Sequence, residues 1–515
     1  MKKLKIDKKE ILLFTVLFIF AICICFNFII GYNCYDTYKM AEIGYTSYAK
    51  TLFLADGRPI SSLYILIANF FRIPVEILYK ISIVSGIALS IMMLMHFKKI
   101  IEVNSLNSKE KSHTNFQKVL LIILLFCMFF NFTYIDDMIF IEFPIMVFSI
   151  WFYILAANES ICYKKYVKST IFLTIAVFCY QATINVYFIM CAFFICLKDK
   201  KIDKNSILHF LKCIFLSVIP VVLNYIYIKG YSYFSNLSTN RLPTDYATII
   251  KNIISFFLGY SKVIVNSINV LPKYFFTLCM ISISLVLFYY FIKDREKYVD
   301  IYVKVILLFL IAILSCIPIG LVFPIMLIDT SGRLFWALGA CLSLAYLLIY
   351  CCTELLTEEK NKLLLIIICI YFIFQNVGIY QCQFKYKQIN NIDKEICDEI
   401  ENKIASYEVE NNLKVEIGYY RYVISSDEVA YNEKYKNLPI RQSYIMRALP
   451  LKPFFKFYEN RNIELNYLGD EDFNNLLLET PKENTIEQEK SNWNLLKENL
   501  LITFRGNEVY IAIYI

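Results

Sequence analysis

Apolar blocks recur from the amino terminus to about residue 384, and several approach twenty residues in length. A helix rises about 1.5 Å per residue, so a block of that length crosses the roughly 30 Å hydrocarbon core of a bilayer. The blocks fall near 11–30, 81–96, 119–133, 139–157, 169–181, 183–197, 213–228, 274–292, 305–324, 334–352 and 363–380. They predict a mainly α fold, a polytopic transmembrane helical bundle of about 11 helices. The 515 residues are 58% hydrophobic and 19% charged. A soluble domain is nearer half apolar and a quarter charged, which excludes a cytosolic globular enzyme.

The distribution of lysine and arginine predicts orientation. Five lysines precede the apolar run Ile11–Ile30, which is too long for a cleaved signal core, so it reads as a retained first membrane helix with a cytoplasmic N-terminus. On that basis the cytoplasmic pieces hold 24 of the 35 basic residues in 1–384. An odd number of crossings then places the remainder of the chain on the extracytoplasmic side. Residues 385–515 carry 17 Lys and Arg against 22 Asp and Glu, a net of −5, whereas the whole chain is at +8. This change of composition predicts two domains, a transmembrane domain over 1–384 and a small soluble α/β domain over 385–515. In the latter, Ile392–Tyr407 has helical spacing, and Lys414–Tyr420, Phe454–Tyr458 and Val509–Ile515 read as strands.

Most of the 17 cysteines lie inside apolar blocks, where they act as small hydrophobes, and no C-x-x-C pair occurs. With only His96, His113 and His209 in the chain, we expect no zinc site, no redox centre and no cofactor. The basic residues concentrate beside membrane helices, where anionic headgroups account for them, so no nucleic-acid partner is expected.

Charge at membrane level is costly, so acids and arginines there are functional candidates. The first outer segment, 31–80, holds Asp36, Glu42 and the run Asp56-Gly57-Arg58-Pro59, followed by an apolar stretch Ile60–Phe71 too short to span. That stretch reads as an in-plane or re-entrant helix. Asp136 and Asp137 are adjacent at the next outer turn, with Glu142 close behind; they read either as a solvated loop or as a carboxylate pair that needs a cationic partner. Only about thirty apolar residues separate the basic loops 158–168 and 198–212, yet charge parity asks for two crossings, with a reversal near Tyr180-Gln181-Ala182-Thr183. Gln181 there suits either a sugar hydroxyl or a backbone group freed by the broken helices. Arg333, after Asp329-Thr330-Ser331-Gly332, suits a phosphate or snorkels to the interface. Collected on one face, these acids and arginines match a lipid-phosphate substrate: a carboxylate takes the proton of an acceptor hydroxyl, and cations stabilise the departing phosphate. Asp470-Glu471-Asp472 fits the D-x-D pattern of nucleotide-sugar enzymes, but three residues match readily by chance in so acidic a segment. Trp493 and the pair Tyr419-Tyr420 read as sugar-stacking or core aromatics.

Asp36 after the first helix, Gly57-Arg58-Pro59 about twenty residues on, Tyr180-Gln181-Ala182 in the middle helices and Arg333 before a late helix together resemble the GtrII-type glucosyl transferase family. The resemblance spans most of the membrane region, although each motif is short, and this chain has one acid at the first position where some relatives have two. It implies a GT-C-like fold with an outward-facing site in a bacterial inner membrane. The implied donor is a polyprenyl-phosphate-linked sugar, and the implied acceptor a surface glycan such as O-antigen. It implies Asp36 as catalytic base, with Asp56 the alternative, and Arg58 and Arg333 as donor-phosphate ligands. Asp136, Asp137, Tyr180 and Gln181 complete the expected substrate-binding set. Competing readings are a polysaccharide polymerase or ligase, and a lipid-linked sugar flippase or transporter, which would place its polar residues in broken helices near the midplane.

Overall fold

The computed structural model describes residues 8–31, 33–104, 115–237, 246–315, 317, 334–353, 355–356, 362–423, 451–459, 461, 463–469 and 500–514. The chain is mostly helical with one small sheet. In chain order the helices are α1 Lys8–Ile24, α2 Phe26–Gly31, α3 Tyr35–Ile43, α4 Tyr45–Tyr48, α5 Pro59–Phe70, α6 Val75–Asn104, α7 Asn115–Phe129, α8 Ile135–Met138, α9 Phe143–Ile161 and α10 Tyr166–Tyr180. They continue as α11 Asn185–Lys198, α12 Lys204–Leu216, α13 Val218–Ser235, α14 Tyr246–Asn266, α15 Phe275–Lys293, α16 Arg295–Leu314, α17 Trp336–Cys352, α18 Lys362–Asn411 and α19 Leu451–Glu459. The strands are β1 Ile417–Val423, β2 Glu464–Tyr467, β3 Leu500–Arg505 and β4 Glu508–Tyr514.

Two compact units divide the chain, one of residues 1–30 and 46–381, the other of residues 31–45 and 382–515. The division falls inside α18, close to the boundary at 384 read from composition. Segment 31–45, which that reading placed in the transmembrane domain, groups instead with the carboxyl-terminal unit.

Among the described residues six helices are long and apolar enough to cross a membrane, or up to eight if each of two bent pairs is one span. That is compatible with a multi-pass membrane protein and is fewer than the 11 or so blocks predict. Blocks 119–133 and 334–352 form helices of 15 and 17 residues, about 22 and 25 Å long and short of the hydrocarbon thickness. Blocks 169–181 and 183–197 are the arms of a single pair bent by 114°. Block 305–324 lies partly outside the described residues. In the other direction, Ile249–Asn266 within α14 meets the length and hydropathy of a span. It has no counterpart among the predicted blocks because Lys251, Asn252 and Lys262 interrupt its apolar run.

The first unit is built around helices with no polar face. Every residue of α17 from Trp336 to Cys351 is buried, as is α11 from Asn185 to Leu197, which is the pattern of helices enclosed by protein on all sides. Exposed apolar surface falls instead to helices such as α12 and α13, where Phe215, Val218, Val222 and Ile226 are exposed. The 12-residue α5, about 18 Å long, buries Ser61, Ile65 and Ala68 and exposes Leu63, Ile67 and Phe70. It is too short to cross the core, as its sequence suggests.

In the second unit, sheet order is β2-β1-β4-β3, with β1 parallel to both neighbours and β3 antiparallel to β4 across a tight Gly506-Asn507 turn. Gly506, at φ 59°, supplies the left-handed residue such a turn demands. The predicted strand Phe454–Tyr458 is a correction: it is part of helix α19. Its aromatic content favours a strand locally, but Leu451, Phe454 and Phe455 share one helical face, and Phe454 meets the ring of buried Tyr38 on α3 at 4.6 Å. Arg461 holds α18 with a two-pronged pair to Glu408 (2.8 and 3.0 Å) and a bond to Glu401 (2.9 Å).

One titratable group in this unit gives it a pH dependence. Burial, reinforced by the hydrogen bond and charge of Asp398, pushes the Glu459 carboxyl from 4.5 up to about 7. A carboxyl raised in the folded state favours folding most below its ordinary value, and that contribution is lost as pH rises through about 7. Glu459→Gln should therefore flatten the fall in thermal stability of the full chain between pH 4.5 and about 7, the window between the two values. A slope unchanged by the substitution would remove this assignment.

Candidate functional site

The run Asp56-Gly57-Arg58-Pro59 sits where a π-helical turn, Ala49–Leu54, gives way to α5. The Arg58 amide donates to the Phe53 carbonyl (2.8 Å), closing a wide turn, and Pro59 starts α5 where a missing N–H costs nothing. Gly57 adopts φ 77°, and its carbonyl accepts a 2.7 Å bond from Asn224 Nδ2 on α13. A side chain at Gly57 would collide with Asn224 and with Ile228 one turn on. The turn is thus both left-handed and clamped, and its polar residues are withdrawn from solvent: Asp56 is 6% and Arg58 4% exposed.

The opposing element is the break between α10 and α11. Tyr180 is extended, and Gln181–Thr183 forms a single 3-10 turn before α11 begins. The carbonyls freed by the break find donors locally. The Ser149 hydroxyl of α9 is within 2.9 Å of the Ala176 carbonyl and 3.0 Å of the Tyr180 carbonyl, and the Thr183 hydroxyl is 3.2 Å from the latter. Broken helices persist at membrane depth only when such groups are satisfied inside the protein.

Turn and break are joined by one side chain. Gln181 Oε1 accepts from Arg58 Nε at 3.0 Å, and Gln181 Nε2 donates to the backbone carbonyl of Asp56 at 2.5 Å. The Arg58 guanidinium also lies over the Tyr180 ring, 4.6 Å from its centroid, where the ring face attracts a cation. Of the sequence-predicted set, Asp56, Arg58, Tyr180 and Gln181 are brought together. The backbone group that Gln181 holds is not one freed by the break, as one of its two readings has it, but the Asp56 carbonyl of the opposing turn.

Asp136 and Asp137 occupy α8, in the connection between α7 and α9, and are 2% and 0% exposed. Of their two readings, the solvated loop is overturned. The connection is held from several sides: Gln375 Nε2 donates to the carbonyls of Cys127 (3.1 Å) and Phe130 (2.9 Å), and the Ser90 and Tyr134 hydroxyls are 2.7 Å apart. Gly339 of α17 lets the Asn131–Thr133 turn approach so closely that a Cβ there would lie 2.2 Å from Asn131 Oδ1. Glu142, 3% exposed, lies in electrostatic range of Tyr64 on α5.

Asp36 lies in the first turn of α3, in the second unit, half-buried. Arg333, Asp470, Glu471, Asp472 and Trp493 lie outside the described residues. Tyr419 and Tyr420 are on β1, where Tyr419 stacks on Tyr510 (5.2 Å) and Tyr420 is buried, so both contribute to the packing of the sheet. Among the described residues no group of three or more His, Cys, Asp or Glu side chains is arranged to hold a metal ion.

One asparagine of the site was not singled out from sequence: Asn224, which clamps Gly57. It is an isolated amide in an apolar run, and that isolation is the signal that could have found it. No model of a known protein family, no characterised protein and no solved structure matches the chain.

Proposed function

We propose that this chain is a membrane glycosyltransferase. It takes a hexose, glucose by the resemblance noted above, from a polyprenyl phosphate and passes it to a surface glycan on the extracytoplasmic side. The observation that carries the reading is the seating of the Asp56-Gly57-Arg58 turn on Tyr180-Gln181: a buried guanidinium is fixed in direction by an amide and a ring, beside a buried carboxylate. A group preorganised in this way can stabilise negative charge on a leaving phosphate without reorganising during the reaction. Its planar fork matches phosphate oxygens better than a lysine would. Arg333 is the second phosphate ligand, and Asp136 and Asp137 add binding groups. Either Asp36 or Asp56 removes the proton of the acceptor hydroxyl as it attacks the anomeric carbon and the lipid phosphate departs.

The test uses the purified full chain with polyprenyl-phosphate glucose and extracted glycan. Asp36→Asn and Asp56→Asn are assayed separately, and one of them should lower transfer by about 10²- to 10⁴-fold, the usual contribution of a general base. Undiminished transfer by both variants would sink the assignment.

A second reading, a flippase for lipid-linked sugar, is favoured by the α10–α11 break, because discontinuous helices with polar residues at the break are a transporter device. Reconstituted vesicles separate the two. A flippase moves the intact lipid-linked sugar between leaflets with no acceptor present, whereas a transferase consumes it only when the glycan is supplied.

A further inference from the structure

A cavity of about 610 Å³ lies where four helix ends meet: the carboxyl ends of α9 and α11 and the amino ends of α10 and α12. Its wall carries Lys164, Lys198, Lys200, Lys201, Lys212 and His209. Two carboxylates also line it, and both are engaged: Ser206 donates its amide to Asp203 Oδ1 at 2.8 Å, and its hydroxyl is 2.5 Å from Asp199 Oδ2 and 3.0 Å from Asp203 Oδ1. Five lysines against two acids leave an excess of three positive charges at neutral pH. Two helix amino ends and two carboxyl ends nearly cancel as dipoles, so the field in the cavity is that of the lysines.

Lys164 is held there against its backbone preference. The Lys165 amide donates to the Glu159 carbonyl at 2.8 Å, closing the end of α9, and Lys164 takes the left-handed position (φ 55°) just past the helix that glycine ordinarily fills. Among the described residues Lys164, Lys200, Lys201 and Lys212 form no ion pair. The rim includes exposed apolar surface: Leu208 in the wall is 51% exposed, and two chain neighbours of wall residues, Ile207 beside Leu208 and Val167 beside Tyr166, are exposed at 54% and 78%. An apolar rim next to a basic hollow, at the ends of apolar helices, is the arrangement that receives an acyl chain alongside a charged headgroup.

We propose that this cavity is a phosphate-binding site, separate from the Arg58 cluster, whose ligand is the phosphate of an anionic membrane lipid. The basic loops that form it are those the lysine distribution assigns to the cytoplasmic face, where anionic lipids concentrate. Basic pockets between membrane helices on that side recognise headgroups by the same chemistry.

The experiment measures binding of dihexanoyl phosphatidylglycerol, dihexanoyl phosphatidylcholine and inorganic pyrophosphate to the purified full chain in neutral detergent, with Lys200→Gln/Lys201→Gln/Lys212→Gln as the main variant. Wild type should bind phosphatidylglycerol, ignore phosphatidylcholine, and lose about 100-fold in affinity in the triple variant, each lysine near a headgroup contributing roughly a factor of five. Lys164→Gly relieves the left-handed strain, so it should weaken binding without lowering thermal stability; this separates loss of the ligand from loss of the fold. Binding of pyrophosphate but not the lipid would keep the phosphate site and assign it to a soluble phosphorylated ligand. Equal affinity of wild type and triple variant for both anions, or binding of phosphatidylcholine as tight as phosphatidylglycerol, would overturn the proposal.

Discussion

Arg58→Ala should lower transfer from polyprenyl-phosphate glucose by about 10²- to 10³-fold, the scale on which removal of one preorganised charge-stabilising donor acts. Arg58→Lys should recover little of it. A lysine keeps the charge but has no Nε–H for Gln181 and no flat face for the Tyr180 ring, so the cation would be present and unaimed. Single-turnover measurements with saturating donor distinguish a fall in the chemical step from a fall in binding, and the reading expects the chemical step to carry most of the loss. Full activity in Arg58→Ala, in protein that still elutes as a folded species, would detach this residue from catalysis.

Gly57→Ala should be among the most damaging single-methyl changes in the chain. At φ 77° an L-residue is strained by about 1–2 kcal/mol. The added Cβ would also lie 2.7 Å from Asn224 Nδ2 and 2.8 Å from Ile228 Cγ1, an overpacking that costs about 1–3 kcal/mol more. The expected loss is roughly 2–5 kcal/mol, read from thermal or denaturant unfolding in detergent. The two parts are separable. In Gly57→Ala/Asn224→Ala/Ile228→Ala both collisions are relieved while the backbone strain persists, so stability should return only in part relative to Asn224→Ala/Ile228→Ala. Complete recovery would show that the left-handed turn is not itself required.

The parts of the candidate site that sequence made visible are those whose chemistry is local. A short apolar stretch after Gly57-Arg58-Pro59 announces a helix too short to span, and two short apolar runs between basic loops announce a reversal near Gln181; both occur where they were expected. That the two meet is a tertiary fact, carried by a pair of side chains 123 positions apart, and nothing in either motif encodes it. The burial of Asp136 and Asp137 was equally hidden, because adjacent carboxylates at the end of an apolar block look the same whether water or Gln375, Ser90 and Gly339 surround their loop. Two lysines and an asparagine dilute the apolar face of α14 and hide it from a hydropathy reading, and the rings of Phe454–Tyr458 speak for strand and helix alike until Tyr38 supplies a partner. Charge parity demanded two crossings from the α10–α11 region, and the chain provides arms of 15 and 14 residues hinged at Gln181–Thr183.

That hinge bears on biogenesis. Arms of 15 and 14 residues are each shorter than the roughly 20 residues that span a bilayer, and the backbone groups at the bend need partners from elsewhere in the chain. Their donor, Ser149, emerges from the ribosome 31 residues before Tyr180. Synthesis in the amino-to-carboxyl direction therefore completes the α9 donor before the bend that uses it.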